Sequence, residues 1–308
     1  MAHKSLLAAL LIALSSAGAR AHGTVGERMF VEPLVTEDAN VKNELNLPNM
    51  QFLVQPDGTW RSIGFSFEKT LYPGRFSVSL DQDRTYVHTD GRSAAGWENL
   101  DLGLKWEAVA NAPHELVLSP MLVIGLPTGS SSVTDAHTSL QPTLAYAKGF
   151  GDVRSRWLRP FAIQGDFGYD ASVTGPRDRQ LVYDEVLAYS LPYLNHNVRH
   201  ADDKYEIEEG LRRGFSRGAF FGNLFPFVEF NSTTPVNGAP GGTSSVLRPG
   251  VLWMGMYVQV SAAAEIPIDM PGLSGPRRYG ASILVDWFLD DIFPKFNWTP
   301  FGRHRNHQ

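Results

Sequence analysis

From Asn49 almost to the C terminus, apolar and polar residues alternate with a period of two, which predicts strands with one apolar and one polar face. The clearest runs lie between Gly96 and Gly129. Leu100, Leu102, Leu104 and Trp106 alternate with Asp101, Gly103, Lys105 and Glu107. Leu116, Leu118, Leu122, Ile124 and Leu126 then share a face opposite Val117, Ser119, Met121, Val123 and Gly125, and Asn111-Ala112-Pro113-His114 joins the two runs as a hairpin turn. Each run is about 11 to 13 residues, roughly twice the usual globular strand and close to what a tilted strand needs to cross a membrane.

The same pattern predicts strands over Met50–Gln55, Thr59–Leu71, Arg75–Val87, Leu140–Ala147, Leu158–Tyr169, Leu181–Leu194, Phe220–Asn231, Val246–Met254, Tyr257–Ile268 and Tyr279–Leu289. The total is about twelve, an even number suited to a closed antiparallel barrel with both termini on one side. Connections at Tyr72–Gly74, Asn111–His114 and Gly255-Met256 are short. Those at His88–Trp97, Thr128–Ser139, Asp170–Gln180, Ser232–Ser245 and Asp269–Arg278 are longer and polar. This asymmetry matches a barrel with periplasmic turns and extracellular loops. Pro56–Gly58 and Asn195–Ala219, the latter with a predicted helix over Tyr205–Arg213, break the rule.

Pro120 and Pro249 fall inside predicted strands and count against the barrel, because each lacks a ladder donor. A soluble periplasmic β-sandwich would also alternate, but with shorter strands and its polar face in water. The expectation is therefore all-β: a closed antiparallel transmembrane β-barrel of about 12 strands, with short N-terminal and C-terminal periplasmic extensions. Residues 49–290 form the barrel and 291–308 a C-terminal tail. The segment 22–48 is expected either to enter the lumen as a plug or to remain a disordered periplasmic arm, with a short helix over Glu37–Leu45 capped by Thr36 and a stop at Pro48.

Residues 1–21 read as a signal peptide: His3 and Lys4 precede the apolar run Leu6–Leu14, and Ala19-Arg20-Ala21 offers a cleavage site. The expected location is the outer membrane of a Gram-negative bacterium. The chain has no cysteine, which excludes disulfides, thiolate metal sites and a cysteine nucleophile. A formal charge of −5 without a basic cluster gives no indication of a nucleic-acid partner.

At Gly96–Gly129, Ala188–Tyr193, Leu224–Thr234, Leu247–Val251 and Phe288–Pro294 the chain resembles the meta-pathway of phenol degradation family of Gram-negative outer-membrane β-barrel proteins. An Ala-His-Gly start at Ala21–Gly23 adds to the likeness. The resemblance implies a barrel and an association with aromatic compounds, and carries no catalytic signature. Outer-membrane barrels often end on an aromatic residue; here Trp287 or Phe288 takes that part, ahead of the tail to Gln308.

With the apolar faces toward lipid, alternation nominates the lumen-lining residues: Glu68, Asp81, Asp101, Lys105, Glu107, Asp166, Glu229, Arg248, Glu265 and Asp286, along with Asp83 and Asp184. Acids dominate, which favours cations or neutral polar solutes over anions. The bland alternative is that Lys105 and Arg248 pair with neighbouring carboxylates to fill a narrow interior. Phe225 and Phe227 share parity with Glu229 and would make an apolar lumen patch suited to an aromatic solute. Trp60, Trp97, Trp106, Tyr146, Tyr169, Tyr193, Trp253 and Tyr257 would suit interfacial girdles, although sheets are rich in aromatics anyway.

His196 and His200, with Asp202 and Asp203 beside them, or His22 at a new N terminus, match no metal motif, so neither metal nor cofactor is expected. His88-Thr89-Asp90-Gly91-Arg92-Ser93 holds a histidine and a serine but not the arrangement of outer-membrane phospholipases. The sequence thus predicts a channel or facilitated-diffusion transporter for small molecules, aromatic ones among them, rather than an enzyme. Expected partners are the lipid bilayer, the transported solute and the outer-membrane assembly machinery. The competing readings are a phospholipase-like enzyme and a structural or adhesion barrel.

Overall fold

A computed structural model describes residues 24–26, 28–55, 58–72, 74–135, 137–175, 179–196, 220–236, 242–255, 257–268 and 279–301. Two short strands, β1 (Thr24–Val25) and β2 (Arg28–Met29), pair with each other. The wall follows: β3 (Glu44–Gln55), β4 (Gly58–Tyr72), β5 (Phe76–Thr89), β6 (Arg92–Trp97), β7 (Leu100–Trp106), β8 (Val109–Asn111), β9 (Leu116–Leu126) and β10 (Ser139–Gly149). It continues as β11 (Phe161–Ser172), β12 (Arg179–Tyr189), β13 (Leu224–Pro235), β14 (Ser244–Met254), β15 (Val258–Ile268) and β16 (Tyr279–Phe288). Short helices α1 (Leu191–His196) and α2 (Leu289–Ile292) follow β12 and β16.

All wall strands are antiparallel, and β16 returns to β3, with Ile283 opposite Met50 and Trp287 opposite Leu45. The result is a closed barrel of 12 staves. Stave four is built from β6 and β7, which pair with the upper and lower parts of the long β5, and from β8, which pairs with β9. The hairpin read from Gly96–Gly129 forms staves four and five, with Lys105 opposite Met121 and Asn111 opposite Leu116. Burial along it is inverted relative to a water-soluble sheet. Leu104 and Trp106 are 49% and 43% exposed, while Lys105 between them is 6% exposed. Along this hairpin apolar side chains therefore face out and charges face in.

Pro48, Pro120, Pro142 and Pro249 sit where one of their ladders is interrupted. Pairing of β10 with β11 skips Gln141-Pro142, and pairing of β14 with β15 skips Arg248-Pro249. Leu47-Pro48 forms a bulge in β3. Pro120 falls in the gap of β9 between its partners β7 and β8. At each of these places the missing N–H falls at an interruption or bulge in the pairing.

Several boundaries differ from the sequence reading. Residues 37–43 are not helical, and β3 begins at Glu44, so Pro48 lies within a strand. The reason is hydrogen-bond competition. The amides of Glu37, Val41 and Lys42 donate to wall carboxylates instead of to carbonyls one helical turn back. Most of the expected His88–Trp97 loop is the β5–β6 ladder. β12 ends at Tyr189, where the chain turns into α1, and Phe220–Asn223 is a 3-10 turn before β13. Tyr193 leaves the proposed girdle: it is buried, its ring under Arg28 and its hydroxyl on Glu115. The signal peptide, His22, His200 and the predicted helix over Tyr205–Arg213 lie outside the described residues, as does the side chain of His196.

Candidate functional site: the barrel interior

Residues 28–43 run through the interior, and inward side chains from around the wall hold them by their main chain. Glu229 on β13 accepts from the amides of Leu34, Val35 and Thr36 at 3.0, 2.9 and 2.7 Å, and from the Thr36 hydroxyl at 2.7 Å. Asp166 on β11 accepts from the Glu37 amide at 2.8 Å, and Gln164 donates to the Val31 carbonyl at 3.1 Å. On the opposite side Lys105 Nζ lies 2.7 Å from Glu68 Oε2 and donates to the Asn40 carbonyl at 3.0 Å. Glu68 Oε1 and Glu107 accept the Lys42 and Val41 amides, and Ser119 donates to the Ala39 carbonyl.

Apolar contacts follow the same division. Met29, Val31 and Leu34 pack against Val186, Phe225, Phe227, Leu252 and Leu284 on one wall. Phe30 and Ala39 belong to a second buried group with Val117, Met121, Ala145 and Ala162 on another. Phe225 and Phe227 thus point inward, and the N-terminal segment covers them. Space for Phe227 comes from its cross-strand neighbours Ala188 and Gly250; a Cβ at Gly250 would lie 2.5 Å from the Phe227 ring.

The remaining sequence-nominated residues form local pairs. Arg248 Nε lies 3.4 Å from Glu265, Arg248 also donates to Asn231, and Ser282 donates to Glu265. Asp286 accepts from Gln259 at 2.6 Å. Asp81, hydrogen bonded by Ser79 at 3.0 Å, stands opposite Asp101 on the neighbouring strand. A cavity of about 130 Å³ remains beside the segment, lined by Glu32, Glu37, Asp81 and Lys105 among others.

Sequence reading missed two groups. Glu32, Asp38 and Glu44 bring carboxylate oxygens within 4.8 Å of one another, but all three bind Lys42 Nζ, which takes the place a cation would occupy. Arg28 is anchored by Glu115 at 3.2 Å, by the carbonyls of Arg159 and Pro160, and by the Tyr193 ring 4.0 Å below its guanidinium. The isolated segment carries no periodicity from which these partners could be read. His88 Nδ1 and Ser93 Oγ are 2.8 Å apart at the loop end, and among the described residues no carboxylate is bonded to His88.

No family model matches the chain, and no curated protein matches it. Solved structures do. The COG4313 outer membrane channel from Pseudomonas putida F1 superposes with a TM-score of 0.53 at 12% identity, over 84% of this chain and 99% of that one. The fold is that of an outer-membrane β-barrel. The NanC and KdgM porins give TM-scores of 0.48 and 0.44, each at 8% identity and over 79% of this chain and 98% of theirs.

Proposed function

We propose that the chain is an outer-membrane channel for small molecules whose lumen is closed by residues 28–43. One observation carries this reading: the interior is filled mainly by a separate stretch of main chain held on wall side chains. A wall that needs such an insert encloses more space than its own side chains occupy, so removing the insert leaves a pore. The outward apolar and inward charged faces support insertion in a bilayer, and the fold shared with a solved outer-membrane channel supports the same location. Export through a cleaved signal peptide at residues 1–21 fits that destination.

Displacement of the segment uncovers Phe225 and Phe227 with Asp166 and Glu229 on one side of the lumen and Glu68 on the other. An apolar patch beside and across from carboxylates suits small aromatic or cationic solutes better than anions. The implied link of the resembling family to aromatic compounds is consistent with this choice.

Planar-bilayer recording and liposome swelling with the purified full chain test the reading. The parent is expected to conduct with a low open fraction, and Glu229→Gln to raise it. If neither protein conducts nor passes solute, the channel reading is wrong.

A further inference from the structure

The outer face of β3 to β6 near the loop rim breaks the apolar rule. Cross-strand pairing builds three outward rows there: Val54, Thr59, His88, Ser93; then Phe52, Arg61, Tyr86, Ala95; then Met50, Ile63, Arg84, Trp97. Arg61 and Arg84 are diagonal neighbours on β4 and β5, a spacing of roughly 7–8 Å that one phosphate group can bridge with two long side chains. Neither has a carboxylate partner among the described residues. Each guanidinium instead lies over aromatic rings, Arg61 5.2 Å from Phe52 and Arg84 5.4 and 5.6 Å from Tyr86 and Trp97. Lys69, outward at the opposite rim, differs, because Asn43 and the Phe296 carbonyl accept from its ammonium.

Beside the arginines runs a groove of about 820 Å³, lined chiefly by apolar side chains including Phe52, Ile63, Ala95, Ala281 and Ile283. Ala281 on β16 lies opposite Phe52, and Ala95 opposite Tyr86, so small side chains form the floor between taller aromatic walls. We propose that this face binds an anionic phosphorylated acyl lipid of the surrounding leaflet, with Arg61 and Arg84 holding the phosphate and the groove holding an acyl chain. Paired guanidinium forks match phosphate oxygens, and both long side chains can swing from their rings onto a phosphate between them. The two charges and the chain-wide groove meet at Arg61, which belongs to both. A free anion would use only the arginines, whereas a lipid uses both parts.

The site rests on the barrel lying in a membrane, and its test separates the two claims. Purified full chain in detergent is mixed with bisphosphorylated lipid A, with phosphatidylethanolamine or with inorganic phosphate, and bound lipid is counted by native mass spectrometry. One lipid A per barrel is expected to be retained. Arg61→Gln with Arg84→Gln lowers that retention about tenfold, and Lys at both positions restores it only in part. Phosphatidylethanolamine binds parent and variant alike, and inorganic phosphate does not compete. The single Gln variants carry the test if the double variant does not fold. Equal lipid A retention by the parent and the Gln variants would overturn the lipid site, as would displacement by inorganic phosphate. Heat-modifiable gel mobility is the separate control: its absence in the parent overturns the membrane barrel itself.

Discussion

Thr36 gives Glu229 both its amide and its hydroxyl, each at 2.7 Å, although the two residues are 193 positions apart. With the Leu34 and Val35 amides, the Glu229 carboxylate gathers four donors from three consecutive residues. Hydrogen bonds to a charged acceptor contribute about 1.5–3 kcal/mol each. Glu229→Gln is therefore expected to weaken docking of the segment by about 3 kcal/mol, with Thr36→Val costing about 1 kcal/mol. Amide hydrogen exchange at Leu34–Thr36 measures it; unchanged protection in Glu229→Gln would show that other contacts hold the segment.

Lys105 and Glu68 are both buried, 2.7 Å apart. Lys105→Met leaves the Glu68 carboxylate without its cation and is expected to destabilise the barrel by about 3–5 kcal/mol. Replacing both residues by methionine should recover most of that loss, because neither charge then remains buried. Urea unfolding in detergent, run as a double-mutant cycle, reads the coupling. Additive losses would rule out a direct pair.

Asp81 and Asp101 face each other across β5 and β7. In the proposed channel, opened by displacement of residues 28–43, their charges are expected to favour cations. Asp81→Asn with Asp101→Asn should move the reversal potential in a salt gradient toward zero, and Lys at both positions should move it past zero. A reversal potential insensitive to all four changes would place the selective region elsewhere.

Leu102 faces outward between Leu80 and Ile124. Arginine at this position is expected to cost about 2–4 kcal/mol in a bilayer, the penalty of a charge near the midplane. Folding equilibria in lipid vesicles measure it. A neutral result would argue that this face does not meet hydrocarbon.

Glu185 is an outward acid on β12 whose carboxylate receives the hydroxyls of Tyr146 and Tyr183, the latter at 3.3 Å. Gly165 opposite it leaves the room, since a Cβ there would lie 2.6 Å from the Tyr146 hydroxyl. Tyr146→Phe removes a donor and is expected to cost about 1–3 kcal/mol, whereas Glu185→Leu should be neutral or stabilising. Thermal unfolding should therefore come earlier for Tyr146→Phe and be unchanged or later for Glu185→Leu; an earlier transition in both would rule out this account.

What the sequence made legible was whatever depends on one strand at a time. Leu104 and Lys105 announce opposite faces by adjacency alone, and the structure keeps them there. Arg92–Trp97 does not announce a strand, because Ser93, Ala94 and Ala95 offer little contrast between faces and only the β5 ladder identifies them. The effect of a proline depends on register with the neighbouring strand, which no single run displays. Residues 28–43 were the least legible. Their order comes from partners as distant as Glu229, and local propensity, which favours a helix after Thr36, loses to those acceptors.

At Val35 the grip falls on the amide while the side chain stays exposed, so the wall is nearly blind there to side-chain identity. Most replacements at Val35 leave its N–H where it was; proline alone takes it away. At that position the inserted segment is thus specified by main-chain shape, and its side chain is free to vary without loosening the hold.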